Sequence, residues 1–271
     1  GEIMPELPEV ETVLRTLETK IKDKKILDIA VLYAPIVEGD VTEFKNKLIG
    51  QHFRDFKRRG KYLLFEMDDI TLVSHLRMEG KYFYVEDGYK YDKHTHIIFK
   101  LDDGHLLLYH DVRKFGRMEL IPKTGDYSIF KKLGPEPFDD RFNLDYCKKY
   151  LSKKQNPIKE ILLDQSFVAG IGNIYDDEIL FGIGVSPFKK GCELSDTDII
   201  NLINETRKVL GEAIKCGGTT IRSYASSLGV TGRFQQSLRC HTMKTCPKCG
   251  GDIVKVKLKG RGTYYCPNCQ K

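Results

Sequence analysis

The sequence predicts an α+β protein of several domains: a helix leading into an antiparallel β-sandwich or barrel, then a helical domain, then a zinc-ribbon hairpin. Three observations carry that expectation. Strand-like runs of period two fill residues 26 to 121, the periodicity turns helical after a break at Leu133 to Phe138, and four C-terminal cysteines keep metal-ligand spacing. The 271 residues, 41% of them hydrophobic, suit two separate cores better than one.

Val10, Val13, Leu14, Leu17 and Ile21 mark one amphipathic helix, with Pro8 in its first turn, where the missing N–H has no helical partner to lose. Strands are then expected at Ile26 to Tyr33, His52 to Arg58, Tyr62 to Met67, Thr71 to Leu76, Lys81 to Val85, His96 to Leu101, Leu106 to His110 and Arg117 to Ile121. Asp68-Asp69, Glu86-Asp87-Gly88 and Asp102-Asp103-Gly104 supply turns between them. Two prolines in Leu133-Gly-Pro-Glu-Pro-Phe138 suit neither helix nor central strand, so 134–138 reads as a linker between a domain over 5–133 and one over 139–239. Helices are expected at Leu144 to Leu151, Pro157 to Leu163, Ile174 to Phe181 and Thr197 to Lys215, the last capped by Ser195 or Asp196. Gly217 to Gln236 is rich in Gly, Ser and Thr without a period and reads as a mobile loop.

Cys246, Cys249, Cys266 and Cys269 form a C-x2-C, sixteen-residue, C-x2-C frame, so 240–271 reads as a zinc finger. Four thiolates leave no open position for water, which makes the zinc structural. Such ribbons bind DNA, RNA, proteins or nothing, and charge narrows the choice. Arg207 to Lys271 holds 13 Lys+Arg against 2 Asp+Glu, a net of +11, which leaves −5 for the other residues of a chain carrying +6. A basic end on a mildly acidic body suits phosphate neutralisation, against the alternative of a solvated Lys-rich hairpin. Cys147, Cys192, Cys216 and Cys240 show no disulfide framework, no apolar run approaches the ~20 residues of a membrane helix, and no signal peptide precedes the first helix. A cytoplasmic, monomeric protein without membrane association is expected.

Val168-Ala-Gly-Ile-Gly-Asn-Ile-Tyr175 is a tight glycine turn that ends with Asn173 as the expected helix cap, where backbone N–H groups point at anions. It reads equally as a helix-turn-helix corner whose glycines permit close packing.

Pro5-Glu-Leu-Pro-Glu-Val10, the turn ending Asn173-Ile-Tyr175, and Gly260-Arg-Gly-Thr-Tyr-Tyr-Cys-Pro-Asn-Cys-Gln270 together resemble the bacterial formamidopyrimidine-DNA glycosylases, the 8-oxoguanine DNA glycosylase/AP lyases. The likeness runs from Pro5 to the last residue. It implies an N-terminal β-sandwich, a helix-two-turn-helix domain and a C-terminal zinc finger with DNA in the cleft between them. It also implies double-stranded DNA with oxidised purine or abasic sites as partner, one structural Zn2+ and no organic cofactor.

By this resemblance Pro5 is the nucleophile. A secondary amine attacking the sugar C1′ expels the base and leaves an iminium ion, and an α-amino pKa of ~8 leaves a neutral fraction near pH 7. Glu6 resembles the general acid/base that protonates the ring oxygen and moves protons during β,δ-elimination. Taken without the family, Glu9 is a first-turn acid placed against the helix dipole. Lys61 resembles the lysine that assists base removal beside the lesion phosphate, and His75, Asn173 and Arg261 resemble phosphate contacts. Met78, Arg113 and Phe115 match the three side chains that fill the gap left by a flipped nucleotide. Ile221, Arg222, Ser223 and Tyr224 match the backbone that closes over the flipped purine, in a capping loop over 217–236, and Glu79 is a candidate base contact.

Two departures matter. Gly1-Glu-Ile-Met4 precede Pro5, and an acylated nitrogen cannot form an iminium, so the chain as written is expected to lack base excision that a chain starting at Pro5 has. Leu238-Arg-Cys-His-Thr-Met243 lacks the usual tyrosine, and neither Cys240 nor His241 is expected to compete for zinc. Leu7 in Pro-Glu-Leu-Pro favours purine lesions over the pyrimidine lesions of the endonuclease VIII group. That group, and a DNA-binding protein without catalysis, remain the alternatives.

Overall fold

The computed structural model describes residues 5–123, 128–219 and 232–271. The N-terminal helix α1 (Leu7–Ile21) buries Leu7, Val10, Leu14, Leu17 and Ile21 along one stripe. Eight strands follow, β1 (Ile26–Val31), β2 (Asp55–Arg59), β3 (Tyr62–Glu66), β4 (Ile70–His75), β5 (Lys81–Glu86), β6 (Thr95–Leu101), β7 (His105–His110) and β8 (Arg117–Pro122). They form two antiparallel four-stranded sheets, ordered β1-β6-β7-β5 and β2-β3-β4-β8. Phe53, Phe56, Phe65, Phe99, Tyr82 and Tyr109 fill the space between the sheets together with the α1 stripe, so the sandwich reading holds over the barrel.

Between β1 and β2 lies a helix that the hydrophobic pattern did not announce, α2 (Val41–Leu48). Asp40 caps it by accepting from the Glu43 amide at 2.8 Å, and Phe44 and Leu48, one turn apart, bury its inner face. The strand expected from His52 begins at Asp55 instead. His52 and Arg54 are drawn off toward Asp68, whose carboxylate accepts from the His52 amide at 2.9 Å and Arg54 Nε at 2.8 Å.

The helical part comprises α3 (Leu144–Leu151), α4 (Ile158–Leu163), α5 (Asn173–Ile183) and α6 (Asp196–Lys215) around a second core built from Phe142, Phe167, Tyr175, Ile179, Leu202 and Leu210. Ser195 caps α6 in a reciprocal capping box with Asp198. Segment 133–138 is fastened at both ends. Glu136 accepts from Arg58 Nη1 at 2.5 Å, Arg59 Nη1 at 2.8 Å and the Gly60 amide at 2.8 Å, while Arg207 donates to the carbonyls of Pro137, Asp139 and Phe142. Contrary to a mobile loop throughout 217–236, its described ends are paired, with Arg233 N on Cys216 O and Phe234 N on Gly218 O, both at 3.0 Å. Ile221, Arg222, Ser223 and Tyr224 lie outside the described residues.

The chain ends in a hairpin, β9 (Val254–Leu258) and β10 (Arg261–Tyr265), standing on α5. Among the described residues no helix is long and apolar enough to cross a membrane.

Candidate active site and nucleic-acid interface

The first turn of α1 meets the glycine turn before α5. Gly170 adopts φ +103°, a conformation open to glycine, and its carbonyl accepts from the Leu7 amide at 3.0 Å. A Cβ on Gly172 would stand 2.5 Å from Glu6 Cγ, so only glycine admits the Glu6 side chain here. Through that gap the Glu6 carboxyl reaches the amino end of α5, accepting from Gly172 N at 2.6 Å, Ile174 N at 2.9 Å and Tyr175 N at 3.4 Å. Unpaired amides at a helix start are a binding site for negative charge. The anion that the glycine turn holds is therefore a carboxyl of this chain, and Asn173 is the first helical residue, with Gly172 at the cap position.

Burial, with the Glu9 carboxyl beside it, pushes Glu6 up to about 7 against the pull of Lys61 and the α5 amides. Lys61, buried at the turn into β3, is brought down to about 8 by burial, opposed by Glu6. Pro5, immediately before Glu6, is itself buried. A carboxyl poised near neutrality beside the nucleophile position can give and take a proton within one reaction.

Glu9 does more than face the α1 dipole. It is buried, accepts from Glu6 N at 3.0 Å, and reaches across the lobes to accept from Tyr175 Oη at 2.6 Å and Thr219 N at 3.0 Å. Burial raises its carboxyl above the usual range, with the hydrogen bond from Tyr175 opposing. Short polar side chains in sequence gave no sign of this bridge, since its partners lie 166 and 210 residues away.

Lys61, Tyr62, His75, Arg77, Gly172 and Arg261 line a cleft of about 320 Å³ between the lobes. The His75 ring accepts the Arg77 amide at Nδ1, 3.0 Å away, and burial, helped by Arg77 and Lys61, lowers it to about 3. It is thus a neutral ring whose Nε2–H is the donor. Arg261 lies at the exposed start of β10, and Asn173 Nδ2 donates to the next residue's carbonyl, Gly262 O, at 3.0 Å.

Met78 and Glu79 follow β4, and Arg113 and Phe115 follow β7. Arg113 lies 5.4 Å from the Phe115 ring centroid and 4.0 Å from Glu79, and Phe115 is half exposed. The loop bearing Arg113 and Phe115 is shaped by buried Asp111, which accepts from Tyr109 Oη at 2.9 Å, Lys114 N at 3.0 Å and Gly116 N at 2.8 Å. Asp111 is unmarked in the sequence beyond the general habit of Asp to accept backbone amides in a turn.

At the hairpin, Cys246, Cys249, Cys266 and Cys269 place their sulfurs within 4.8 Å of one another, with Cys246–Cys269 at 3.8 Å and Cys249–Cys266 at 3.6 Å. Zn–S bonds of about 2.3 Å at tetrahedral angles require sulfurs about 3.8 Å apart, so the four fit zinc. Cys240 Sγ donates instead to Tyr264 O, and His241 Nδ1 faces Asp177 at 2.8 Å. Buried Lys159 binds the other oxygen of Asp177 at 2.8 Å, and Glu178 accepts the amides of Arg239, Cys240 and His241. This network fixes the hairpin to α5, and with it the position of Arg261.

Two lobes with a basic cleft between them and a titratable carboxyl buried at their junction, joined by a helix-turn-helix corner and a zinc ribbon, define a class of DNA-binding repair proteins. Residues 4–118 match the formamidopyrimidine-DNA glycosylase N-terminal domain, 133–225 its H2TH domain, and 244–271 the zinc finger found in FPG and IleRS. The formamidopyrimidine-DNA glycosylase of Streptococcus pneumoniae is 47% identical over 99% of both chains, and that of Listeria monocytogenes 44% over 99% of this chain and 100% of its own. Crystal structures of Lactococcus lactis Fpg are also similar. One with Fapy-dG-containing DNA superposes with TM-score 0.93 at 42% identity, covering 98% of this chain and 100% of that one. One with DNA containing an abasic site also gives TM-score 0.93 at 42% identity, covering 98% and 99%. The chain belongs to the formamidopyrimidine-DNA glycosylase family and is a DNA-repair glycosylase with a structural zinc site.

Proposed function

We propose that this chain, once Pro5 is its free amino terminus, excises 8-oxoguanine and formamidopyrimidines from duplex DNA and then cleaves the abasic strand on both sides of the sugar. The observation that carries this reading is the Glu6 carboxyl, pushed up to about 7, held at the start of α5 next to Pro5, and hydrogen-bonded to Gly172, which lines the cleft with Lys61. The neutral Pro5 nitrogen forms a bond to C1′ as the N-glycosidic bond breaks, and the base leaves with that electron pair and a proton. Protonated Glu6 gives its proton to the ring oxygen as the sugar opens to the iminium. Loss of a C2′ proton then expels the 3′ phosphate, and a second elimination expels the 5′ phosphate. Lys61 assists base removal beside the lesion phosphate, His75, Asn173 and Arg261 hold phosphates, and Met78, Arg113 and Phe115 occupy the vacated stack, with Glu79 against Arg113. Ile221, Arg222, Ser223 and Tyr224, outside the described residues, are by the family resemblance the candidate contacts for the extruded base.

The zinc is held by Cys246, Cys249, Cys266 and Cys269 and supplies structural rigidity to the hairpin rather than Lewis acidity. The protein acts as a cytoplasmic monomer.

Preference for pyrimidine lesions is the second reading, favoured by one observation: a similar Lactococcus lactis Fpg has been crystallised with DNA containing an oxidised pyrimidine. Borohydride trapping on duplexes with 8-oxoguanine opposite cytosine, beside a duplex with an oxidised pyrimidine, tests both. The chain as given and one beginning at Pro5 are compared. The expected result is a covalent adduct with the purine lesion from the trimmed chain alone. Stronger trapping on the pyrimidine selects the second reading, and no adduct from either chain rules out the lyase.

A further inference from the structure

One buried carboxyl has no part in the reaction above. Asp176 lies one turn into α5 with 0% of its surface exposed, and neither of its oxygens meets a hydrogen-bond partner among the described residues. Asn173 stands three residues earlier, hence on the same helical face, and its buried Oδ1 also lacks a donor among the described residues. Two unsatisfied buried acceptors on one face call for a donor, and a proton on the Asp176 carboxyl supplies one.

We propose that Asp176 is a positioning residue for the phosphate clamp: held as a neutral acid, it donates its O–H to Asn173 Oδ1. The proposal rests on the reading of Asn173 and Arg261 as phosphate contacts. Donation to Oδ1 leaves Nδ2 aimed at Gly262 O, the 3.0 Å bond that joins the start of α5 to the residue after Arg261. Asp176 thereby sets both halves of the clamp. Burial pushes its carboxyl well above the usual range. Lys159 on α4 opposes, Asp177 on its own helix and Glu6 before α1 push the same way, and Arg261 on β10 opposes. An ionised Asp176 would face Asn173 with two acceptors and set a negative charge behind an anion site.

The test is the affinity for a duplex carrying a tetrahydrofuran abasic analogue, measured across salt concentration and pH with the full chain. Asp176→Val is expected to weaken binding roughly tenfold and to lower the slope of log affinity against log salt by about 0.9, the share of one phosphate. Asp176→Asn has the shape of the neutral acid and keeps a donor. It should bind within about twofold of the wild type, with the wild-type slope. With rising pH the wild type should fall toward the valine variant as Asp176 ionises, while the asparagine variant does not. NMR of 13C-labelled aspartate carboxyls in the wild type should find one acid still protonated at neutral pH and missing from Asp176→Asn. An ionised Asp176, a valine variant with undiminished affinity and slope, or an asparagine variant as weak as valine overturns the proposal. Asn173→Ala separates the two levels. If its slope is unchanged the clamp reading itself fails, and if it falls while Asp176→Val does not, only the role of Asp176 fails.

Discussion

The Glu6 carboxyl accepts the Ile174 backbone amide at 2.9 Å, joining residues 168 positions apart. This bond makes the start of α5 part of the candidate active site. The helix terminus that a reader of the sequence would reserve for a ligand anion instead orients a carboxyl of the protein, and the cost of burying that carboxyl brings its titration near neutral pH.

Gly172→Ala should therefore damage chemistry more than binding. The new Cβ would stand 2.5 Å from Glu6 Cγ and force the carboxyl off the α5 amides. A displacement of about 1 Å at a catalytic group costs on the order of 100-fold in rate. Single-turnover excision should show that loss while affinity for an abasic-analogue duplex changes by less than about threefold. Equal losses in both would mean that the change unfolds the lobe contact instead.

Excision should be bell-shaped in pH, because it needs Glu6 protonated, with its carboxyl pushed up to about 7, and Pro5 neutral, with an ordinary α-amino pKa of ~8. The limb with its midpoint at about 7 reports Glu6. Lys61→Met should move that midpoint upward, since Lys61 favours the ionised form of Glu6. The stability signs differ for the two groups. Glu6, raised from 4.5 to about 7, contributes stability that is full below 4.5 and lost as pH rises through about 7. Lys61, lowered from 10.5 to about 8, contributes stability present above 10.5 and lost as pH falls through about 8. A single-turnover pH profile of both proteins checks the assignment, and an unmoved midpoint rejects the coupling.

Removing zinc with a strong chelator should release the hairpin and abolish DNA binding, because Arg261 depends on it for position. The sandwich core shares no residue with the small cluster of Cys240, Cys246, Ile253 and Cys266, so its far-ultraviolet strand signal should persist. Retained affinity in the chelated protein would show that the hairpin is dispensable.

Lys159→Met should destabilise the helical lobe by about 3–5 kcal/mol, because it removes the cation from Asp177, which has 0% exposure, and leaves its Oδ1 without the 2.8 Å bond from Lys159. The double variant with Asp177→Leu should recover part of that loss. Urea midpoints of the four proteins of this cycle provide the check, and a single-variant cost below about 1 kcal/mol would mean that His241 alone satisfies Asp177.

Lys159, Asp177 and His241 also show why some of the site was hidden. Each is an ordinary polar residue in sequence, and their pairing depends on α4, α5 and the segment before the hairpin meeting in space. Local patterns were readable because they act over a few residues: period-two burial for the strands, the capping box at Ser195, the thiol spacing for zinc. The helix α2 escaped because only Phe44 and Leu48 carry its apolar face.

The sequence by itself determined the two cores, the zinc frame, the basic C-terminal end and, through Pro5-Glu6 and Asn173-Ile-Tyr175, the family. Only the tertiary structure decided that α5 holds Glu6 rather than a foreign anion, that Glu9 bridges the lobes, and that Asp176 is wholly buried beside Asn173 on one face of α5. Spacing along the chain is encoded locally, whereas dielectric and hydrogen-bond partnership depend on which distant segments exclude water together.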